Sequence, residues 1–222
     1  MASVALKIGK LTCHYAKADS DTLIYMLFPM DSMDVIVEKA AHIYGVSVVG
    51  ITGMDWDDDL TPWPAPGAPS GCAPFKGEAE NFLTTLIDYV IPKVEERLNL
   101  TPERRDLLGI SLSGLFSLWQ WMECDAFDNI ASISGSFWYN GFVEWLQKNI
   151  KLKSGKAYFS LGDMEEHTKV PQFKSVGEDT RKVIELLQSE GIQTELRMVP
   201  GNHYQDAIPR LQMALDYLYP RN

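Results

Sequence analysis

Three short segments hold residues whose types and spacing could perform nucleophilic chemistry. Gly109-Ile110-Ser111-Leu112-Ser113-Gly114 sets a serine between a short apolar run, Asp106–Ile110, and a helical pattern, Leu112–Met122. A serine at such a sharp strand-to-helix turn has its hydroxyl exposed, and small residues at −2 and +2 let strand and helix approach closely. The helix N-terminus adds N–H dipoles where a tetrahedral oxyanion would form. The usual pattern has glycine at +2, and Ser113 departs from it. Taken alone, the hexapeptide also reads as an ordinary helix N-cap at Ser111 or Ser113.

Pro200-Gly201-Asn202-His203 places a histidine on a loop between the run Gln193–Val199 and the last helical pattern. A general base for Ser111 is needed at such a position. His14 lies near an opening strand, His42 on a helix face and His167 in a charged loop. The third segment, Leu161-Gly162-Asp163-Met164-Glu165-Glu166-His167, offers carboxylates that could orient the imidazole and stabilise the imidazolium. Glu165 is favoured, with Asp163 as the alternative acid and Glu166 as a solvated charge. The order serine, acid, histidine suits a hydrolase that passes through an acyl-enzyme.

These segments need a scaffold that brings strand ends together. Strands are expected at Ser3–His14, Thr22–Phe28, Val46–Ile51, Asp106–Ile110, Ile130–Ser134, Lys156–Leu161 and Gln193–Val199. Helices are expected at Asp31–Tyr44, Glu78–Leu98 (kinked or broken at Pro92), Leu112–Met122, Asn140–Asn149, Phe173–Ser189 and Tyr204–Tyr219. Gly45 marks the end of the first helix, and Asp31 or Ser32 its N-cap. Alternation of this kind implies a mostly parallel sheet with helices on both faces, where ligands collect beyond the carboxyl ends of the strands. The segment 52–77, rich in proline, glycine and tryptophan, reads as one long ordered loop.

The chain has 222 residues, 45% apolar, with 30 acidic and 20 basic side chains. That length suits a single domain spanning 1–222, and the composition excludes wholesale disorder. A net charge of −10 argues against nucleic acid, which calls for concentrated Lys and Arg. No apolar run approaches the roughly 20 residues of a membrane span. The start MASVALKIGK lacks a signal-type apolar core. Cys13, Cys72 and Cys124 read as free thiols of a reducing compartment, so a cytoplasmic location is expected.

Taken together, GISLSGLFSLW, DNIASISGSFWY, YFSLGDMEEHTK and PGNHYQDAIPRL resemble the "putative esterase" group of α/β-hydrolases. That group includes enterochelin esterase-like enzymes, S-formylglutathione hydrolase (esterase D) and feruloyl esterases. The likeness runs in order from about Leu23 to Leu218. It implies an α/β-hydrolase fold, with Ser111 as nucleophile, His203 as base and Glu165 as acid. The first oxyanion donor would be the Leu112 N–H. The second would come from the loop after Thr22–Phe28, where many relatives carry His-Gly. Here that loop reads Phe28-Pro29-Met30, and because proline has no N–H, the donor falls on Met30.

The expected function is therefore serine carboxylester hydrolysis on small or aromatic soluble esters. Thioester or cyclic-ester (siderophore-type) hydrolysis is the alternative within enzymes, and a catalytically weak hydrolase-fold binding module the alternative outside them. Trp138, Trp63 and Trp56 are candidate pocket walls. The segments between strands are too short for more than a minimal lid, which predicts an open cleft. No metal and no organic cofactor is suggested by the spacing. The partner is a small-molecule ester, with neither nucleic acid nor membrane, and a homo-oligomer is compatible with this reading.

Overall fold

The computed structural model describes residues 3–29 and 32–221. Its framework is an eight-stranded sheet: β1 (Val4–Ile8), β2 (Leu11–Ala16), β3 (Thr22–Leu27), β4 (Ser47–Thr52), β5 (Arg104–Ile110), β6 (Asn129–Ile133), β7 (Lys156–Gly162) and β8 (Gln193–Val199). The spatial order is β1-β2-β4-β3-β5-β6-β7-β8. From β4 to β8 all neighbours are parallel, while β2 pairs antiparallel with both β1 and β4. The fold is that of an α/β-hydrolase-like protein.

Residue alternation along the strands explains why both faces are covered. On β3, Leu23, Tyr25 and Leu27 face one core, and Ile24 and Met26 face the other. The first core is closed by α2 (Ala79–Thr85), α3 (Ile91–Leu98), α4 (Leu112–Glu123), α5 (Phe142–Asn149) and α6 (Val176–Ser189). The second is closed by α1 (Met33–Tyr44) and α7 (Ala207–Leu218). A strand with apolar residues at every position has nowhere to place them except between two helical layers.

The expected single strand Ser3–His14 is instead a hairpin, β1 and β2, which turns at Gly9 (φ 59°) and Lys10. Pro92 does not break the helix Glu78–Leu98. The distortion lies just upstream, in a π-turn at Leu86–Val90 where the Ile91 N–H donates to the Leu86 carbonyl. Pro92, which cannot donate, follows directly on that π-turn. Gly45 closes α1 in the left-handed region, with its N–H on the Ala41 carbonyl. Ser32 is the N-cap residue of α1, and Asp31 lies outside the described residues.

The register places the chemistry. Leu27 of β3 pairs with Gly109, Ile110 with Ile133, Ile133 with Ser160, and Gly162 with Val199. The carboxyl ends of β3, β5, β6, β7 and β8 thus form one rim. Every segment singled out for reactivity leaves the sheet there.

Candidate active site

Ser111 lies between the last residue of β5 and the first of α4, with φ 57° and ψ −122°. A serine pays for that backbone conformation, and it persists only where surrounding contacts fix it. Its N–H donates to the Ile133 carbonyl at 2.9 Å, and its carbonyl accepts from the Leu115 and Ser136 N–H groups. A Cβ on Gly109 would lie 2.1 Å from the Ser113 carbonyl oxygen, and one on Gly114 would lie 2.7 Å from Ser132 Oγ. Only glycine lets the strand and helix close this tightly.

Ser113, the departure at +2, is wholly buried and does more than fit. Its Oγ accepts from the Ile110 N–H at 2.7 Å and lies 2.5 Å from the Leu27 carbonyl oxygen, to which it donates. One hydroxyl thereby joins the turn at Ser111 to the end of β3. It does not cap α4 in the sense of accepting from the N2 or N3 amide. The N-cap reading of Ser111 also finds no side-chain hydrogen bond.

His203 Nε2 is 3.0 Å from Ser111 Oγ, and His203 Nδ1 is 2.8 Å from Glu165 Oε2. Glu165 stands in a short 3-10 turn after β7, almost fully buried. Its Oε1 accepts from Ser134 Oγ (2.7 Å), from the Gly162 N–H (2.7 Å) and from Arg210 Nη1 (2.8 Å). Burial pushes the Glu165 carboxyl up. The hydrogen bond and charge of His203, with the Ser134 and Gly162 donors, more than reverse this and hold it below its usual range.

The other two carboxylates are engaged elsewhere. Asp163 Oδ1 accepts from the Gly201 N–H at 2.9 Å, tying the β7 and β8 loops together. Glu166 pairs with Arg181 at 2.9 Å.

Three residues of this network escaped the sequence reading. Arg210, only 1% exposed, donates from Nη1 to Ser134 and Glu165 and from Nη2 to the Asn202 carbonyl. A signal existed, because Arg210 stands in the apolar stripe Leu211, Ala214, Leu215 and Leu218 of α7. Ser134 adopts φ 49° and donates its hydroxyl to Glu165. Ser136 Oγ lies 3.4 Å from Ser111 Oγ.

A cleft of about 600 Å³ opens over Ser111 and His203. Trp56 and Trp138 line it, joined by Phe75, Phe173 and Tyr204. Trp63 does not. Its indole Nε1–H donates to the Asn140 carbonyl, and its ring packs among Tyr139, Phe142 and Trp145 on the far side of the loop. Leu112 lines the cleft, and its N–H belongs to the first turn of α4, where helical geometry supplies no carbonyl partner. Met30 lies outside the described residues. Among the described residues, no group of His, Cys, Asp and Glu is arranged to hold a metal ion. No described helix is long and apolar enough to cross a membrane.

The sequence pattern of the family described as "Putative esterase" matches residues 29–215. The chain belongs to that family. Within the putative esterase family it is 28% identical over 184 residues to the uncharacterized protein YbbA of Bacillus subtilis, covering 79% of this chain and 74% of YbbA. Its fold is similar to that of an IroE-like serine hydrolase from Shewanella oneidensis, with a TM-score of 0.83 and 16% identity over 98% of this chain and 79% of that one. It is similar also to the siderophore hydrolase EstA of Aspergillus nidulans, with a TM-score of 0.75 and 19% identity over 98% of this chain and 93% of that one. These structural likenesses establish the fold. The esterase activity class comes from the family.

Proposed function

We propose that this chain is a serine carboxylester hydrolase that works through an acyl-enzyme, with Ser111 as nucleophile, His203 as base and Glu165 as acid. One observation carries this reading: the unbroken relay from Ser111 Oγ to His203 Nε2 (3.0 Å) and from His203 Nδ1 to Glu165 Oε2 (2.8 Å). His203 takes the Ser111 proton as Oγ attacks the ester carbonyl. Glu165 keeps Nδ1 protonated, so that Nε2 is the basic nitrogen, and it stabilises the imidazolium that forms. The Leu112 N–H receives the oxyanion, with a second donor from the loop after β3, assigned to Met30. The imidazolium then protonates the leaving alcohol, and water activated by the same histidine releases the acid.

Aromatic walls at Trp56 and Trp138 favour small or aromatic soluble esters. The two 3-10 turns between β7 and α6 add wall rather than lid, which supports an open cleft. A cyclic-ester substrate is the second reading. It is favoured by the siderophore hydrolases among the structural neighbours and by two smaller cavities that flank the cleft. A single catalytic unit over 1–222 and a cytoplasmic location complete the proposal, the latter supported by the three free cysteines.

The test is covalent labelling with a fluorophosphonate. The unmodified protein should label, Ser111→Ala should abolish labelling and His203→Ala should reduce it strongly. Well-folded protein that takes up no probe and hydrolyses no ester would overturn the proposal in favour of a binding module.

A further inference from the structure

Two smaller cavities share wall residues with the cleft over Ser111. The cleft of about 600 Å³ shares Trp56 with a cavity of about 370 Å³ beside Phe28 and Pro29. On the other side it shares Phe75 and Trp138 with one of about 500 Å³ under the loop 65–75. The chain holds 20 Lys and Arg side chains, yet among the described residues none lines any of the three.

The carboxylates that do line the cleft are Glu165 and Asp57. Glu165 is already met by Arg210. Asp57 has no cationic partner among the described residues, whereas the adjacent Asp58 and Asp59 pair with Lys76 and Lys10. Burial above all, and then the neighbouring Asp55 and Asp58, push the Asp57 carboxyl above its ordinary value. Lys169 and Lys174, next to the wall residues Val170 and Phe173, stay outside the cavity lining. Aromatic surface is abundant: the Trp138 and Phe173 rings lie 4.6 Å apart, and Tyr204, 88% exposed, meets His203 edge-on.

A site for carboxylate- or phosphate-bearing substrates would present Arg or Lys donors. A site that offers aromatic faces and one uncompensated carboxylate suits the opposite charge, because a ring face attracts cations. We infer that the cleft selects esters whose alcohol portion is an alkylammonium and disfavours anionic esters, with Asp57 as counter-charge and Trp56, Trp138 and Tyr204 as the aromatic surface. This rests on the hydrolase reading and names the substrate class for the same site.

The experiment compares kcat/KM at low salt for butyrylcholine, its uncharged isostere 3,3-dimethylbutyl butyrate and the carboxylate-bearing 3-carboxypropyl butyrate. The choline ester should lead the neutral isostere by roughly three- to thirtyfold, the range of a cation–aromatic contact, and the anionic ester should be slowest. Asp57→Asn should bring the choline-to-neutral ratio close to one. In the unmodified protein, raising the salt concentration should shrink the same ratio through screening. Equal rates for the charged and uncharged esters, or a faster anionic ester, would overturn the inference and leave the hydrolase reading intact. Should no ester turn over, the hydrolase reading fails by itself. Quenching of tryptophan fluorescence by choline against 3,3-dimethylbutan-1-ol then decides the charge preference: tighter choline binding supports it, and equal binding overturns it.

Discussion

Arg210 Nη1 lies 2.8 Å from Glu165 Oε1, the carboxylate oxygen opposite the one that meets His203. The guanidinium therefore holds Glu165 from behind, and its second nitrogen grips the Asn202 carbonyl next to His203. Removing one partner of a buried pair strands the other charge, a loss of about 3–5 kcal/mol. Arg210→Met should cost that much in urea denaturation and lower kcat as Glu165 loses its aim. Arg210→Lys keeps the charge without the planar fork and should fall in between. A Glu165→Gln/Arg210→Met double variant should regain part of the stability. Equal stability of Arg210→Met and the unmodified protein would remove Arg210 from this role.

The two candidate acids separate cleanly. Glu165→Gln should reduce kcat by a factor on the order of 10⁴, the scale seen when a triad acid loses its charge. Asp163→Asn keeps an Oδ1 acceptor for the Gly201 amide and removes only the charge, so it should cost less than about tenfold. Steady-state rates on p-nitrophenyl butyrate decide it, and a collapse confined to Asp163→Asn would reverse the assignment.

The depressed Glu165 carboxyl carries a signed pH dependence. A carboxyl whose folded pKa lies below its unfolded one contributes stability above the unfolded value and loses it as pH falls through the folded one. The gap in melting temperature between the unmodified protein and Glu165→Gln should therefore be full near neutrality and narrow as pH falls below the ordinary carboxylate range. Melting followed by circular dichroism checks this. A gap that widens on acidification would contradict it.

Ser113 joins the ends of β3 and β5 through one hydroxyl. Ser113→Ala leaves the half-buried Ile110 N–H and the buried Leu27 carbonyl without that partner, and should cost about 1–3 kcal/mol. Gly109→Ala, whose Cβ would meet backbone at 2.1 Å, should lose fluorophosphonate labelling outright, as the turn cannot close around a methyl group. Retained labelling of Gly109→Ala would show that the turn can move.

The two tryptophans on the long loop should behave differently from each other. Trp56 and Trp138 line the cleft, so truncating either to Ala should raise KM for aromatic esters. Trp63→Ala removes a partly buried ring packed against three others, and should lower the denaturation midpoint while KM stays near its original value. Kinetics and denaturation measured on the same preparations separate the cases.

Much of this was legible in the residues because its causes are local. Gly109 and Gly114 flank a serine, and a strand-to-helix turn needs small neighbours; β8 spans Gln193–Val199 as expected. The hairpin of β1 and β2 was hidden because Gly9-Lys10 interrupts an otherwise continuous strand-like run, and one glycine inside a strand pattern is ambiguous. The π-turn at Leu86–Val90 has no sequence marker apart from Pro92 after it. Arg210 acts on Glu165 across 45 positions of chain, a pairing that only the docking of α7 creates. Trp63 and Trp56 look alike in sequence and are sorted only by which side of their loop packs on α5.

The sequence separation within the relay has a consequence for the timing of protein synthesis. Ser111 precedes His203 by 92 positions, and the guanidinium that steadies the acid arrives later still, on α7. On the proposed mechanism, a ribosome that has delivered β1 to β6 has made Ser111 but neither Glu165 nor His203. On that reading, activity arrives in one late step, when the last strand and helix dock, and a polypeptide released before that point would be inert rather than partly active.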